Sequence, residues 1–179
     1  MNYLSVQYLS KSYGIQTLFE GITFGVDQGQ KVALVARNGA GKTTILRALA
    51  GVESADSGRV VFRKDLQIGF LQQEADFGFF TTVYDALYGS KNPILSAIKE
   101  YESAMLNPEN SDAFQIAFEK MERLDAWDYE VKVKTILSKL KLEELNQEIS
   151  VLSGGQRKRL SLAKLLIDQP DFLILDEPT

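Results

Sequence analysis

The chain has 179 residues, of which 45% are apolar and 25% are charged, and its formal net charge is −4. This composition is that of a globular domain with a hydrophobic core, and it excludes a globally basic nucleic-acid surface, though not a local basic patch. The lack of cysteine and histidine excludes disulfides, thiolate metal sites and a histidine base. The start lacks the pattern of a signal peptide, and no apolar run reaches the roughly 20 residues of a membrane span, so we expect a cytoplasmic protein.

The first seventy residues are predicted to be rich in short strands. Apolar alternation or short apolar runs predict these strands over residues 2–9, 18–27, 32–35, 59–63 and 67–71. A turn is predicted at residues 11–14, and a helix opens near Lys42 and ends before Gly51, a natural C-cap.

The turn between the strand at Val32–Val35 and this helix has the spacing of a phosphate-binding loop. It consists of Ala36, Arg37, Asn38, Gly39, Ala40, Gly41, Lys42, Thr43 and Thr44. Glycines without a Cβ can turn backbone amides toward a phosphate, and the helix N-terminus adds a positive dipole end. Lys42 is predicted to contact the β- and γ-phosphates, and the Thr43 hydroxyl to bind Mg²⁺.

Two considerations weigh on this prediction. The usual pattern begins with glycine where this chain has Ala36, which fits only if its φ is negative and no ligand atom approaches closely. The alternative is an ordinary strand-to-helix turn with a surface lysine, but chance rarely produces this spacing in this context.

Helical periodicity replaces the strand signals from about residue 74. Thr82 resembles the cap of a short helix, and Pro93 suits the first turn of another that runs to about Leu106. After a breaker at residues 107–110, amphipathic helices are predicted over residues 112–124 and 128–140, the second with an apolar stripe of Val131, Val133, Ile136, Leu137 and Leu140. Its lysines favour a solvated face over an RNA contact, and Trp127 is predicted to pack inside this part of the chain.

The last thirty residues carry two further candidate sites. Ser153, Gly154, Gly155 and Gln156 open a helix that runs to Ile167, and this start is either an anion site or an ordinary serine cap. Phe172–Leu175 reads as a buried parallel strand that delivers Asp176 and Glu177 at its end. Two carboxylates there are costly without a cation, which Mg²⁺ with a nucleotide would supply; the alternative is a strand end with solvent-facing acids.

Together these motifs resemble an ATP-binding cassette (ABC) ATPase. The matching features, in family order, are Tyr13, the loop at 38–44, Gln73, the Leu152–Gln156 signature and residues 172–177. The resemblance implies that Tyr13, otherwise an ordinary half-buried tyrosine, stacks on adenine. It implies that Gln73 (or Gln72, if the register is shifted) contacts Mg²⁺ and the attacking water. By the same resemblance Asp176 binds Mg²⁺ and Glu177 orients or deprotonates that water, whereas the signature contacts ATP held by a second cassette.

The implied fold is an α/β P-loop NTPase core of ABC type with an antiparallel β subdomain and an inserted helical subdomain. The expected segments are a nucleotide-binding core at residues 1–73, a helical subdomain at 74–150, and a signature helix and strand returning to the core at 151–179.

The chain looks in particular like the first cassette of an ABC-F protein. The opening segment (residues 3–14), residues 32–42, Ala126–Glu130 and the signature region carry this resemblance. ABC-F proteins are soluble, have two cassettes in one chain and mostly act at the ribosome, so ATP, Mg²⁺, a second cassette and ribosomal RNA are the implied partners. The alternatives are the cytosolic ATPase subunit of a membrane transporter and a nucleotide-binding module that only organises assembly.

Two departures from the family pattern predict a fragment of a longer protein. The family has a switch histidine after the Asp176–Glu177 pair, whereas this chain has no histidine. The family also has a strand that lies between the strands predicted at Val32–Val35 and Phe172–Leu175. Without it we expect a gap in the sheet, and a piece that is unstable and inactive by itself.

Overall fold

The computed structural model describes residues 1–73, 76–89, 92–106 and 111–177, which divide into a strand-rich unit and a helical unit. The strand-rich unit combines Met1–Gln72 with Pro170–Thr179, and the helical unit is Gln73–Gln169. The predicted third segment at 151–179 is therefore divided, since its helix belongs to the helical unit and its strand to the strand-rich unit.

An antiparallel sheet opens the strand-rich unit. Its strands are β1 (Asn2–Tyr13), β2 (Gln16–Asp27) and β3 (Ser57–Phe62), in the order β2-β1-β3. The turn predicted at residues 11–14 is wrong for its first three residues, because Lys11, Ser12 and Tyr13 pair with β2 and extend β1. Cross-strand hydrogen bonds override the weak turn preference of this segment.

The remaining elements of this unit are one helix and two parallel strands. They are α1 (Lys42–Leu49), β4 (Ile68–Leu71) and β5 (Phe172–Leu175), with β4 and β5 in register from Ile68 opposite Phe172 to Leu71 opposite Leu175. The apolar face of α1 and Ile174 of β5 share one core with β1 and β2, formed by Leu4, Val6, Leu9, Phe19, Val26, Ile45, Ala48, Leu49 and Ile174. This core fixes α1, and with it the loop that precedes α1.

The strand predicted over Val32–Val35 is wrong. Residues 30–37 form neither helix nor strand, and the side chains of Val32, Leu34 and Val35 are 57%, 41% and 90% exposed. An apolar run becomes a strand only where a neighbour offers hydrogen bonds, and β4 and β5 pair with each other instead. Leu173 and Leu175 of β5 are also exposed, so the expected burial of that strand is met only at Ile174.

The helical unit contains five α-helices within its described residues. They are α2 (Val83–Tyr88), α3 (Pro93–Met105), α4 (Ser111–Arg123), α5 (Trp127–Lys139) and α6 (Gly154–Ile167). The Thr82 hydroxyl caps α2 by accepting a hydrogen bond from the Asp85 backbone, and Asn92 caps α3 with Pro93 in its first turn. The breaker predicted at residues 107–110 lies outside the described residues.

Aromatic packing joins α3, α4 and α5. The Trp127 ring lies edge-on to Tyr101 at 5.0 Å between centroids and at 5.5 Å from Phe118, which confirms its packing role. Val131, predicted in the apolar stripe of α5, is exposed, whereas Val133 and Leu137 of that stripe are buried. No helix in the described ranges is long and apolar enough to cross a bilayer.

Candidate functional site

The predicted phosphate-binding loop forms a tight turn directly before α1. Gly39 and Gly41 have φ of +77° and +82°, a backbone conformation that residues with a Cβ rarely adopt. Gly41 is the N-cap of α1, and no side chain in the described part of the chain caps that helix end, so its first amides are left for an external acceptor. Ala36 is not among the described residues with positive φ, so the alanine at this position meets the backbone condition set by the sequence.

The Lys42 ammonium folds back onto the loop. Its Nζ donates hydrogen bonds to the carbonyl oxygens of Ala36 and Arg37, each at 3.0 Å. Thr43 and Thr44 follow in the first turn of α1, where their side chains are half-buried. The loop thus combines a helix N-terminus with a cation held beside it, which is the arrangement that binds phosphate groups in proteins.

Tyr13 ends β1 with its ring 54% exposed. Its hydroxyl donates a hydrogen bond to Oε1 of Glu53, and this bond, with burial adding to it, raises the pKa of the phenol. The Thr44 side chain shifts this pKa in the opposite direction, so it lies near the phenol oxygen, in the first turn of α1. The predicted base-stacking residue and the predicted phosphate loop are therefore neighbours in this unit.

Asp176 lies at the carboxyl end of β5 with only 3% of its surface exposed. Its amide donates to the Leu71 carbonyl at 3.0 Å, which continues the β4–β5 pairing by one residue. Its carboxylate atom Oδ2 is buried and has no hydrogen-bond partner among the residues that the structure describes. Glu177, which follows, is exposed and has φ of +47°, so the strand ends in a sharp change of chain direction.

The buried carboxylate of Asp176 fits a divalent cation. An anionic oxygen out of water without a partner carries a large desolvation cost that a cation removes. The described residues contain no group of three or more acidic side chains that could hold a metal alone. Mg²⁺ needs only one or two protein ligands when phosphate oxygens and water complete its shell, so a single buried carboxylate such as that of Asp176 is chemically suited to this cation.

The signature residues belong to the helical unit. The Ser153 hydroxyl accepts a hydrogen bond from the Gln156 backbone, and Gln156 Oε1 accepts from the Ser153 backbone and hydroxyl, which completes a capping box on α6. The ordinary serine cap considered from the sequence is therefore present. It does not explain Gly154 and Gly155, because neither has positive φ and an added Cβ at either would meet nothing within 4 Å.

The predicted catalytic glutamine falls at the boundary between the units. Gln73 is exposed and begins the helical unit, whereas Gln72 ends the strand-rich unit. The choice between the two registers stays a prediction.

Sequence reasoning missed the residues that surround Tyr13. Glu53 follows α1 in a polar loop, accepts from the Tyr13 hydroxyl and forms an ion pair with Arg47 at 3.6 Å. Lys11 lies over the Tyr13 ring at 5.5 Å from its centroid. No sequence signal marks Glu53, because its partner Tyr13 lies 40 residues away along the chain.

This α/β fold with its glycine loop before α1 defines a nucleotide-binding cassette of the P-loop type. A family model described as "ABC transporter" matches residues 19–179. The chain belongs to the ABC transporter family, and its ABC-type P-loop fold, predicted from the sequence, is confirmed. A solved ABC transporter in an inward-facing conformation is 26% identical, with a TM-score of 0.60 over 99% of this chain and 60% of that chain.

Curated relatives include ABC-F proteins, which confirms the resemblance to that group. The ATP-binding protein YfmR of Bacillus subtilis is 37% identical over 100% of this chain and 30% of its own length. ABC transporter F family member 2 of Arabidopsis thaliana is 31% identical over 97% and 28%, and the energy-dependent translational throttle protein EttA of Mycobacterium tuberculosis is 28% identical over 98% and 32%. The chain thus spans about 30% of the length of these relatives.

Proposed function

We propose that the full-length protein containing this chain binds ATP with Mg²⁺, hydrolyses it, and uses the cycle to act on the ribosome as an ABC-F protein does. The observation that carries the ATP proposal is a buried oxygen of Asp176 that has no partner among the described residues. It lies in the same unit as α1, whose N-terminus has no side-chain cap and follows the glycine loop with Lys42. A buried anion and an open phosphate-binding helix end in one fold are explained together by a metal-bound triphosphate.

Each site residue has a role in this proposal. When bound, the metal–nucleotide supplies the phosphoryl group and the cation that offsets its charge. The amides at Gly39–Thr43 hold phosphate oxygens, Lys42 adds a positive charge at the β- and γ-phosphates, and Asp176 and Thr43 hold Mg²⁺. Glu177 orients the attacking water or takes its proton, helped by Gln73.

The signature glycines support a second contact with nucleotide. Glycine in a helix costs up to about 1 kcal/mol relative to alanine, and α6 carries two in its first turn with no local packing reason. Close approach by an external group explains both. We assign that group as the triphosphate held by a partner cassette, with Ser153, Gly154, Gly155 and Gln156 around it.

The ATP proposal is tested by Glu177→Gln and Lys42→Ala in the full-length protein. Glu177→Gln should retain ATP binding and lose turnover, which traps the protein with ATP bound, because an amide cannot take the proton from water. Lys42→Ala should weaken ATP binding itself. The measurements are phosphate release and equilibrium ATP affinity; unchanged turnover in Glu177→Gln would contradict the assigned base, and unchanged affinity in Lys42→Ala would contradict the site. If the wild-type protein binds ATP but does not hydrolyse it, the result would favour the alternative of a nucleotide-binding module that only organises assembly.

The ribosomal part of the proposal is supported by the ABC-F relatives, among them EttA, which is named an energy-dependent translational throttle protein. A second candidate, the ATPase subunit of a membrane transporter, is supported by the likeness to a solved transporter. Co-sedimentation of the Glu177→Gln protein with ribosomes in the presence of ATP separates the two. ATP-dependent sedimentation is expected, whereas its absence together with co-purification of a membrane-spanning subunit would favour transport.

A further inference from the structure

A set of contacts around Tyr13 uses residues to which the proposed mechanism gives no role. The phenol hydroxyl donates to Glu53, and the Glu53 backbone amide donates to the Arg47 carbonyl of α1 at 3.2 Å. The Glu53 carboxylate also pairs with the Arg47 guanidinium, so both its backbone and its side chain are tied to α1. The tip of the tyrosine is thereby attached to the helix that follows the phosphate loop.

The two residues that precede Tyr13 in β1 are held in place by the polar loop that also contains Glu53. Asp56 accepts a hydrogen bond from the Ser12 backbone amide at 2.7 Å and forms an ion pair with Lys11 at 3.2 Å. These two contacts, the Ser12 bond being the larger, lower the pKa of Asp56 below its ordinary value, so the carboxylate stays charged at neutral pH. Lys11 also donates to the Ser54 carbonyl at 2.8 Å, which holds its ammonium over the Tyr13 ring.

One face of the Tyr13 ring is therefore covered, and its hydroxyl end is held by a hydrogen bond. Lys11 lies over one face, so a base can stack only on the other, and a hydroxyl held at Glu53 prevents the ring from rotating away about its χ1 bond. An ordered aromatic side chain loses less rotamer entropy on binding than a mobile one.

From this geometry we infer that Glu53 is a positioning residue for nucleotide binding, which holds the Tyr13 ring in place for an adenine base before the nucleotide arrives. The inference rests on the proposed ATP function and adds a residue that does not itself touch the nucleotide. Because Glu53 is bound to α1, it also links the base platform to the helix that carries the phosphate loop.

The test compares two probes on the full-length protein: ATP, which has a base, and inorganic tripolyphosphate, which has none. Glu53→Ala should weaken ATP affinity about three- to tenfold, part of the effect of losing an aromatic stacking partner. Affinity for tripolyphosphate should not change. Glu53→Gln keeps a carbonyl oxygen as the hydrogen-bond acceptor and should bind ATP like the wild type, and Glu20→Ala is a charge-matched control on β2.

Tyr13→Phe gives an independent readout, since it keeps the ring and removes the hydroxyl. It should reproduce the Glu53→Ala loss, and adding Glu53→Ala to it should cause no further loss, because both changes break the same hydrogen bond. Tyr13→Ala should lose more than either.

Several outcomes would overturn the inference. Equal losses for ATP and tripolyphosphate would mean that Glu53 only supports the fold, and unchanged ATP affinity in Glu53→Ala would mean that the ring needs no positioning. Failure of the proposed function gives a different result: if the wild-type protein binds neither probe, or if Lys42→Ala binds both as well as wild type does, the ATP site and the role of Glu53 fall together.

Discussion

At the scale of single residues, Asp176 is a buried charged side chain of the strand-rich unit with an unbalanced desolvation cost. A carboxylate that is 3% exposed and has one buried oxygen without a partner stays in such a position when a bound cation compensates it. The desolvation cost of the Asp176 carboxylate and its proposed role in binding a cation thus have the same physical origin.

Asp176→Asn tests this balance in the full-length protein. Without nucleotide the variant should be more stable than wild type by about 1–3 kcal/mol, because a partnerless buried charge has been removed. With ATP, the extra thermal stabilisation that Mg²⁺ gives to wild type should be reduced. Asp171→Asn is the matched control, because the exposed Asp171 carboxylate already accepts from the Gln67 amide at 3.0 Å. A variant less stable than wild type without nucleotide would contradict the unbalanced-charge account.

At the scale of elements, α6 contains residues at its start that lower its own stability. Its capping box satisfies the first turn, yet two of the first three residues are glycine and have open space where a Cβ would be. Local energetics alone would favour alanine at both positions.

Gly155→Ala should therefore stabilise α6 and damage function. Slower hydrogen exchange at the start of α6 is expected, corresponding to a gain of up to about 1 kcal/mol, together with a lower rate of ATP hydrolysis by the full-length protein. Ser161→Ala makes a similar change in helix preference in the interior of α6 and should leave hydrolysis unaltered. If hydrolysis were also unaltered in Gly155→Ala, the glycine would serve no close contact.

At the scale of the whole molecule, the strand-rich unit leaves apolar surface in contact with solvent. Val32, Leu34 and Val35 are exposed in a segment without strand pairing, and Leu173 and Leu175 of β5 are exposed as well. Two parallel strands form a marginal sheet, because such sheets are stable when both faces and their neighbours are covered.

We accordingly expect a polypeptide of residues 1–179 alone to lack a cooperative thermal unfolding transition and to bind a hydrophobic dye. Replacing Val32 and Val35 by threonine should reduce dye binding, because it removes part of the exposed apolar surface. The measurements are near-ultraviolet circular dichroism on heating and dye fluorescence. A sharp transition with native-like aromatic signals would contradict this expectation for the polypeptide.

The sequence by itself determined the local features of this protein. The helix starts at Lys42 and Pro93 and the helix cap at Thr82 follow from residues that fix caps and backbone angles within one turn, so short-range rules suffice. The order of the phosphate loop, the signature and the Asp176–Glu177 pair was likewise enough to identify the family.

Only the tertiary structure decided which segments became strands and which side chains met. Val32–Val35 has a strand-like sequence, but strand formation depends on a neighbour that local sequence does not describe. The contact between Tyr13 and Glu53 was equally invisible, since it joins segments 40 residues apart in the chain. The sequence placed two carboxylates at the end of a buried strand, but only the folded chain decided that Asp176 is buried and Glu177 exposed. Long-range pairing and packing are properties of the folded chain, whereas caps and turns are properties of a few consecutive residues.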